Sequence, residues 1–222
     1  MRSQWDCLLQ NLGEWHGSFT GLSAQGEVRE DTATVVSLEG LNENKTIRQV
    51  VRRFTEPPND LVLEYSTLGR GVMFVESGAF SQGSIQYGPF SEFGAELGLI
   101  ECLPDGSPGD RRLRLVQIYN RESQLDRLTL IREHRAHTPA IENPPLKVAD
   151  LLGTWQGQAV TVYPDWQPPT TYSTMLEIGQ VGDRLTQKLT FGSQTLTSSA
   201  QICGSVLKFD QGNQPNQVLL LP

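Results

Sequence analysis

The chain has 222 residues, 37 % hydrophobic and 19 % charged, with a formal net charge of −7. This is the composition of a folded globular protein, long enough for one large domain or two small ones. A net acidic chain gains nothing from counterion release on DNA, which argues against a general nucleic-acid role.

The first predicted element is a helical turn in SQWDCLLQNL, with Ser3 as its cap and Trp5, Leu8, Leu9 and Leu12 at helical spacing. The opening residues have neither the apolar run nor the cleavage site of a signal peptide. No stretch reaches the roughly 18 apolar residues of a membrane helix, so no membrane span is expected. Three dispersed cysteines, Cys7, Cys102 and Cys203, form neither a disulfide framework nor a thiolate zinc site. They read as small buried thiols in a reducing cytoplasm.

Strand signals then dominate. Short runs rich in Val, Ile, Thr and aromatics predict strands at 14–22, 32–39, 45–54, 61–67, 71–79, 95–103, 111–119 and 126–135. The turns between them carry LNENK, EPPND, LGRG, PDGSPGD and NRESQ. Evenly spaced strands joined as neighbours predict an up-and-down antiparallel barrel or a sandwich. In RRLRLVQIY, Leu113, Leu115, Gln117 and Tyr119 share one face; Arg112, Arg114, Val116 and Ile118 share the other. In DRLTLIRE, Leu128, Leu130 and Arg132 share a face that is expected to point inward. TIRQVVRRF mixes apolar and charged residues on both faces, as a barrel with a partly polar interior or an edge strand would.

The stretch GAFSQGSIQYGPFSEFGAELGLIE, residues 78–101, places Phe80, Tyr87, Phe90 and Phe93 among glycines and serines, with Glu92 and Glu96 nearby. It reads as a long connection folded over a barrel mouth or as the rim of a ligand pocket. Arg48, Arg52, Arg53, Arg112 and Arg114 suit bidentate binding of a ligand carboxylate, or a solvated outer face with paired charges.

Three prolines, at 139, 144 and 145, mark HRAHTPAIENPPLK as a linker. The expected division is a barrel over 1–138, a linker over 139–147 and a second unit over 148–222. The second unit has strand signals near 154–163, 171–180, 184–191, 194–203, 205–210 and 216–221. It restarts the first: LGEWHG at 12–17 returns as LGTWQG at 152–157, an offset of 155 − 15 = 140. The same shift lays Thr34, Val36 and Leu38 on Thr174, Leu176 and Ile178. Two copies of one unit follow from this. The second stops at the equivalent of residue 82, since 222 − 140 = 82, and is expected to be an open, incomplete sheet or a shortened chain.

The Gly-x-Trp strand plugs one end of a small barrel. Gly13 and Gly153 let the entering turn bend, while Trp15 and Trp155 fill the taper, both buried. A cation on the last strand is expected across the indole face: Arg132, with Arg135 as rival.

A Gly-x-Trp first strand after a short helix, then about eight antiparallel strands with an arginine near the last, resembles the calycin superfamily of lipocalins and fatty-acid-binding proteins. RLRLVQIYNRESQLDRLTLIRE closing the first unit, with a second Gly-x-Trp unit after it, resembles a cyanobacterial calycin-like family of unknown function. That family is similar to the S- and T-type phycobiliprotein chromophore lyases. The resemblance implies a calycin barrel that holds a tetrapyrrole, a bilin, with a phycobiliprotein subunit as partner. Phe80, Tyr87, Phe90, Phe93, Glu96 and Arg114 then form the candidate site, with Glu96 facing the pyrrole N–H groups.

Catalytic motifs are absent: no G-x-S-x-G, no H-E-x-x-H and no phosphate-binding loop. His16, His134 and His137 are read as exposed, with His16 turned away from the plug and no metal site among them. The expected function is a non-catalytic binding protein or chaperone for a hydrophobic carboxylated ligand. The alternatives are a bilin lyase and a ligand-free scaffold.

Overall fold

Ser3 opens the first element as a helix cap. Its Oγ accepts the Asp6 N–H at 3.0 Å, and Asp6 Oδ2 accepts the Ser3 N–H at 3.1 Å. This reciprocal capping box starts α1 (Gln4–Leu8), and a 3₁₀ turn (Leu9–Asn11) extends it. Gly13, at φ +116°, then turns the chain into β1 (Gly13–Ser23), a conformation that favours glycine. The computed structural model describes residues 2–69, 71–83, 92–122, 124–139, 144, 146–161, 163, 167–209 and 216–219.

Eight more strands complete the first sheet: β2 (Val28–Leu41), β3 (Thr46–Arg53), β4 (Asn59–Tyr65), β5 (Val72–Phe74), β6 (Ala79–Gly83), β7 (Phe93–Cys102), β8 (Pro108–Tyr119) and β9 (Leu125–Arg135). Their order is β4-β3-β2-β1-β9-β8-β7-β6-β5, so every pair but one joins sequence neighbours. The exception is β1 with β9, the first-to-last pairing of an up-and-down barrel. Among the described residues no ladder joins β4 to β5, and the antiparallel sheet curls into a half-barrel with that seam open. There are nine strands where the sequence predicts eight. The segment 71–79 is broken by a turn in which the Gly78 N–H donates to the Val75 carbonyl at 3.1 Å. Its far end therefore becomes β6, and part of the expected connection at 78–101 is strand.

Trp15 fixes the inner face. It lies opposite Val36 on one side and Arg135 on the other. Val36 pairs with Val51, Arg112 with Glu133, and Ile100 with Arg112. Leu8, Trp15, Val36, Leu38, Ile47, Val51 and Ile100 form the buried core. The expectation that Leu128, Leu130 and Arg132 point inward fails by one residue. The inner face of β9 is Thr129, Ile131, Glu133 and Arg135, as the Trp15–Arg135 pairing requires. Leu128 and Leu130 are nevertheless buried, and so are Ile131 and Glu133. Burial on both faces erases the alternation that would reveal the parity.

The chain divides into two compact units, 1–141 and 142–222. The second contains α2 (Val148–Leu151), β10 (Gly153–Thr161), β11 (Thr170–Val181), β12 (Arg184–Phe191), β13 (Gln194–Cys203), β14 (Val206–Phe209) and β15 (Asn216–Leu219), paired in sequence order as an open sheet. It repeats the first unit's entry in detail. The Lys147 N–H donates to Asp150 Oδ2 at 2.9 Å, and Gly153 has φ +123°. Trp155 Nε1 donates to the Leu151 carbonyl at 2.8 Å, as Trp15 Nε1 does to Asn11 at 2.9 Å. The 140-residue offset also holds in the ladders. Gly13, Trp15 and Gly17 face Leu38, Val36 and Thr34, while Gly153, Trp155 and Gly157 face Ile178, Leu176 and Thr174.

One expectation for the second unit fails. Trp15 is 0 % exposed, but Trp155 is 50 % exposed. The first ring is covered by Arg112 and Arg135 from β8 and β9. Among the described residues no helix is long and apolar enough to cross a membrane.

Candidate functional site

The inward side chains of the first unit surround a cavity of about 260 Å³. One wall is apolar: Val36, Leu38, Leu63, Val72, Phe74 and Phe80. The other carries Glu96, Arg112 and Arg114. The inward residues Leu61 and Leu63 on β4 are 44 % and 43 % exposed, because the open seam lies beside them.

The charged wall follows from strand alternation. Arg112 and Arg114 are two apart on β8, so both guanidiniums stand on the same inner face. Two like charges this close need an anion, and β9 supplies Glu133 directly opposite Arg112. Glu133 Oε2 accepts from Arg112 Nε at 2.7 Å and Arg114 Nε at 3.1 Å, and its Oε1 accepts from Arg114 Nη2 at 2.9 Å. Arg114 Nη1 donates to Glu96 Oε1 at 3.1 Å, and Gln82 Nε2 donates to Glu96 Oε2. Arg112 Nη1 donates to Asn11 Oδ1 at 3.1 Å. Arg112 Nη2 is buried and has no hydrogen-bond partner.

Burial pushes the Glu133 carboxyl up, but the guanidiniums of Arg114 and Arg112 outweigh it and hold the group below its ordinary value. Burial pushes Arg112 down. Burial also opposes the charge on Arg114, but Glu133 and Glu96 beside it raise its pKa. The four ionised groups, two cations and two anions, sum to zero.

The plug differs from the sequence reading. Two arginines stack on Trp15, Arg112 and Arg135, each with Cζ 4.4 Å from a ring centroid. Arg135 also donates to the carbonyls of Leu12 at 2.7 Å, Gln10 at 3.0 Å and Gly109 at 3.3 Å. It thereby satisfies acceptors left over where the entering turn ends. Arg132 is opposite Ser18 and Leu113 instead, on the outer face. The rival, Arg135, takes its place, because β9 runs to residue 135 and antiparallel register sets that end beside Trp15.

Of the candidate ligand residues, Phe80, Glu96 and Arg114 line the cavity. The Phe80 ring stacks on Phe74 at 5.1 Å and fills the space over Gly98, where a Cβ would meet the ring at 2.1 Å. Phe93 does not join them. It stands on the outer face, stacked on Tyr119 at 4.5 Å. Tyr87 and Phe90 lie outside the described residues. Glu92 is exposed and 3.9 Å from Arg121. Arg48 and Arg52 are outward and paired with Glu64 and Asp60. Arg53 faces in, over the Phe19 ring at 5.5 Å.

Sequence reasoning missed Glu133, Asn11 and Gln82. Glu133 was within reach: once Arg135 is set against Trp15, parity turns Glu133 inward as well. The buried-thiol expectation holds for Cys7 only, since Cys102 and Cys203 are exposed. His16 bonds Glu14 Oε1 at 2.6 Å, and no group of three metal-ligating side chains occurs among the described residues. A wider hollow of about 620 Å³ lies on the second sheet, around Thr186, Gln187 and Lys188, but no buried charge converges on it.

The fold and the site define a class: an up-and-down antiparallel half-barrel, open at one seam, with a buried ion-pair network walling its cavity. The chain belongs to the DUF3598 family, whose N-terminal domain of unknown function matches residues 1–138. Residues 142–222 match a different description, the C-terminal domain of biogenesis factor required for ATP synthase 1. Among solved structures, the chain is similar to a protein of unknown function from the DUF3598 family of Nostoc punctiforme. The two are 50 % identical with a TM-score of 0.90, over 100 % of this chain and 80 % of that one. No curated protein matches.

Proposed function

We propose that the protein is a non-catalytic assembly factor that holds a partner polypeptide, and that the assembly concerned is ATP synthase. The observation that carries this reading is the match of the whole second unit to the C-terminal domain of an ATP synthase biogenesis factor. The surface of that unit suits the task. Trp155, Leu176, Leu189 and Leu196 are consecutive partners across four strands and share one face. Trp155 is 50 % and Leu196 57 % exposed. An exposed apolar row with a tryptophan at its edge is the usual anchor of a protein contact. The free thiols fit the cytoplasmic setting read from the sequence. The test is co-purification of the full chain with ATP synthase subunits expressed one at a time. At least one subunit is expected to co-elute, and to be lost with the double variant Trp155→Ser, Leu196→Ser. Retention of no subunit by the parent chain sinks the reading.

A second reading is favoured by the first unit's cavity: binding of a hydrophobic small molecule, as in the calycins. Its volume limits the ligand. A whole bilin, with four pyrrole rings, exceeds that, so a tetrapyrrole would have to lie largely outside the described cavity. The pyrrole N–H groups would also meet a Glu96 whose two oxygens already accept from Arg114 and Gln82. The lyase alternative, with a phycobiliprotein subunit as partner, rests on resemblance alone. Adding biliverdin to the purified protein tests the tetrapyrrole form of this reading, and an unchanged pigment spectrum would refute it.

A further inference from the structure

We infer that the free edge of β10 takes an extended strand of a partner polypeptide, antiparallel to β10, with an arginine opposite Trp155. The inference deepens the partner-holding reading of the second unit and rests on it.

Three observations on β10 carry it. The first is an unguarded edge. β10 ends its sheet, and among the described residues only β11 pairs with it. Every β10 residue except Ala159 is exposed. Unpaired edges recruit other strands, so folded proteins usually shorten them or place charges, prolines or bulges on them. The other sheet edges follow that rule. β4 carries Asp60 and Glu64, β5 has three residues and β15 has four. β10, GTWQGQAVT, runs nine residues in unbroken register with β11 and has no charge and no proline.

The second is space. In the first unit β9 lies on the equivalent edge of β1. A Cβ on Gly17 would sit 1.9 Å from the Arg132 carbonyl oxygen and 3.0 Å from the Glu133 Cα, so glycine is what admits that backbone. Gly157 holds the same place in β10, where a Cβ would meet only Thr174 Oγ1 at 3.4 Å. A Cβ on Gly13 would meet Arg135 Nη1 at 3.0 Å, and one on Gly153 meets nothing within 4 Å. Both β10 glycines leave open the space that β9 fills on β1.

The third is a prepared ring. Trp155 Nε1 is bonded to Leu151 as Trp15 Nε1 is to Asn11, but Trp155 is half exposed where Trp15 is covered. The strand added to β1 sets Arg135 directly opposite and over that ring. Arg135 also donates to the carbonyls of Gln10 and Leu12. Asp150 and Leu152 hold the corresponding places before Trp155. Arginine suits this position better than lysine, because a planar guanidinium stacks on indole and donates several N–H groups at once. Main-chain pairing along the edge supplies affinity, and the arginine fixes the register.

The probe is a fluorescein-labelled peptide copying residues 125–137, LDRLTLIREHRAH, the strand that β1 already holds. It is titrated into the full chain and followed by anisotropy. Saturable binding is expected, with amide exchange along β10 slowed in the complex. The peptide with Arg135→Met should bind about threefold to thirtyfold more weakly, the range for a cation on an aromatic ring. Gly157→Ala in the protein should weaken the parent peptide by roughly tenfold or more, because a methyl group then meets the incoming backbone. The melting temperature of that variant should be unchanged, since its methyl group makes only an ordinary contact with Thr174 in the free protein. Absence of saturable binding overturns the inference, and so does equal affinity for the two peptides. Binding that survives Gly157→Ala, or protection that falls on β4 or β15 instead, overturns it as well. A parent chain that sediments as a dimer, and as a monomer with Gly157→Ala, also overturns it, because β10 then pairs with a second copy. The same variant separates the inference from the assembly-factor reading. An ATP synthase subunit that co-elutes with the parent and with Gly157→Ala alike overturns the inference and leaves that reading standing. Absence of every subunit, with the peptide bound as described, removes that reading and supports the strand site.

Discussion

Replacing Glu133 by Ala is the sharpest perturbation of the first unit. Its side chain is 0 % exposed and accepts three charge-assisted hydrogen bonds, at 2.7, 2.9 and 3.1 Å, from two arginines. Removal leaves those guanidiniums facing each other across a buried wall with only Glu96 to offset them. Breaking a buried ion pair on one side costs about 3–5 kcal/mol, most of it the penalty for the charges left behind. Domains of this size are commonly stable by about 5–15 kcal/mol, so the variant should fold only marginally. Glu133→Gln keeps an acceptor of the same shape and should fall at the lower end of that range. The assay is urea unfolding followed by tryptophan emission, with Trp155 and Trp166 replaced by Phe so that Trp5 and Trp15 report. A loss below about 1 kcal/mol for Glu133→Ala would refute the reasoning, because water would then be reaching the network.

Three further outcomes follow from the same geometry. Burial raises the Glu133 pKa but Arg114 and Arg112 lower it more, so the folded value lies below the unfolded one of about 4.3. Stability from this group is therefore full above that pH and lost as the pH falls through the folded value, and Glu133→Gln should flatten the acid limb of the urea midpoint. Gly17→Ala sets a Cβ 1.9 Å from the Arg132 carbonyl oxygen and should cost about 1–3 kcal/mol or more. Its equivalent in the repeat, Gly157→Ala, meets only Thr174 Oγ1 at 3.4 Å and should be near neutral; equal melting shifts for the two would contradict the ladder assignments. Arg135→Met removes one cation from Trp15 and leaves three carbonyls unpaired, and should lower stability by about 1–3 kcal/mol. Arg132→Met should cost less by thermal melting, and the reverse order would restore the outer-face arginine as the plug.

The two copies of Gly-x-Trp show which parts of the structure are local, and so readable in sequence, and which are not. The capping turn, the positive-φ glycine, the indole N–H bond to the residue four before it, and the facing triplet on the next strand recur in both units. All of these lie within a single helical turn and one hairpin, and the 140-residue repeat displays them. Strand positions were legible for a similar reason, because Gly, Pro, Asn and Asp punctuate them. The exception at 71–79 is a turn through Glu76 and Ser77, with Gly78 as its one strong signal. Burial of the tryptophan and the cations on it behave differently. They depend on β8 and β9, about 100 residues away along the chain, and Trp155, which repeats the local bonds, is half exposed. The cavity sits at that second level. Glu96 and Arg114 could be nominated from their chemistry, but their meeting with Glu133 depends on the register of three strands. A one-residue error of parity on β9 hid Glu133 and promoted Arg132 in its place. Apolar alternation could not correct the error, since the inside of this half-barrel holds Arg112, Arg114 and Glu133 while leucines are buried on the opposite face. A motif that recurs with its local bonds intact but its ring uncovered separates the two roles of that tryptophan. By itself it orients the entering turn. Only where β8 and β9 supply Arg112 and Arg135 does it also seat the charged wall of a cavity.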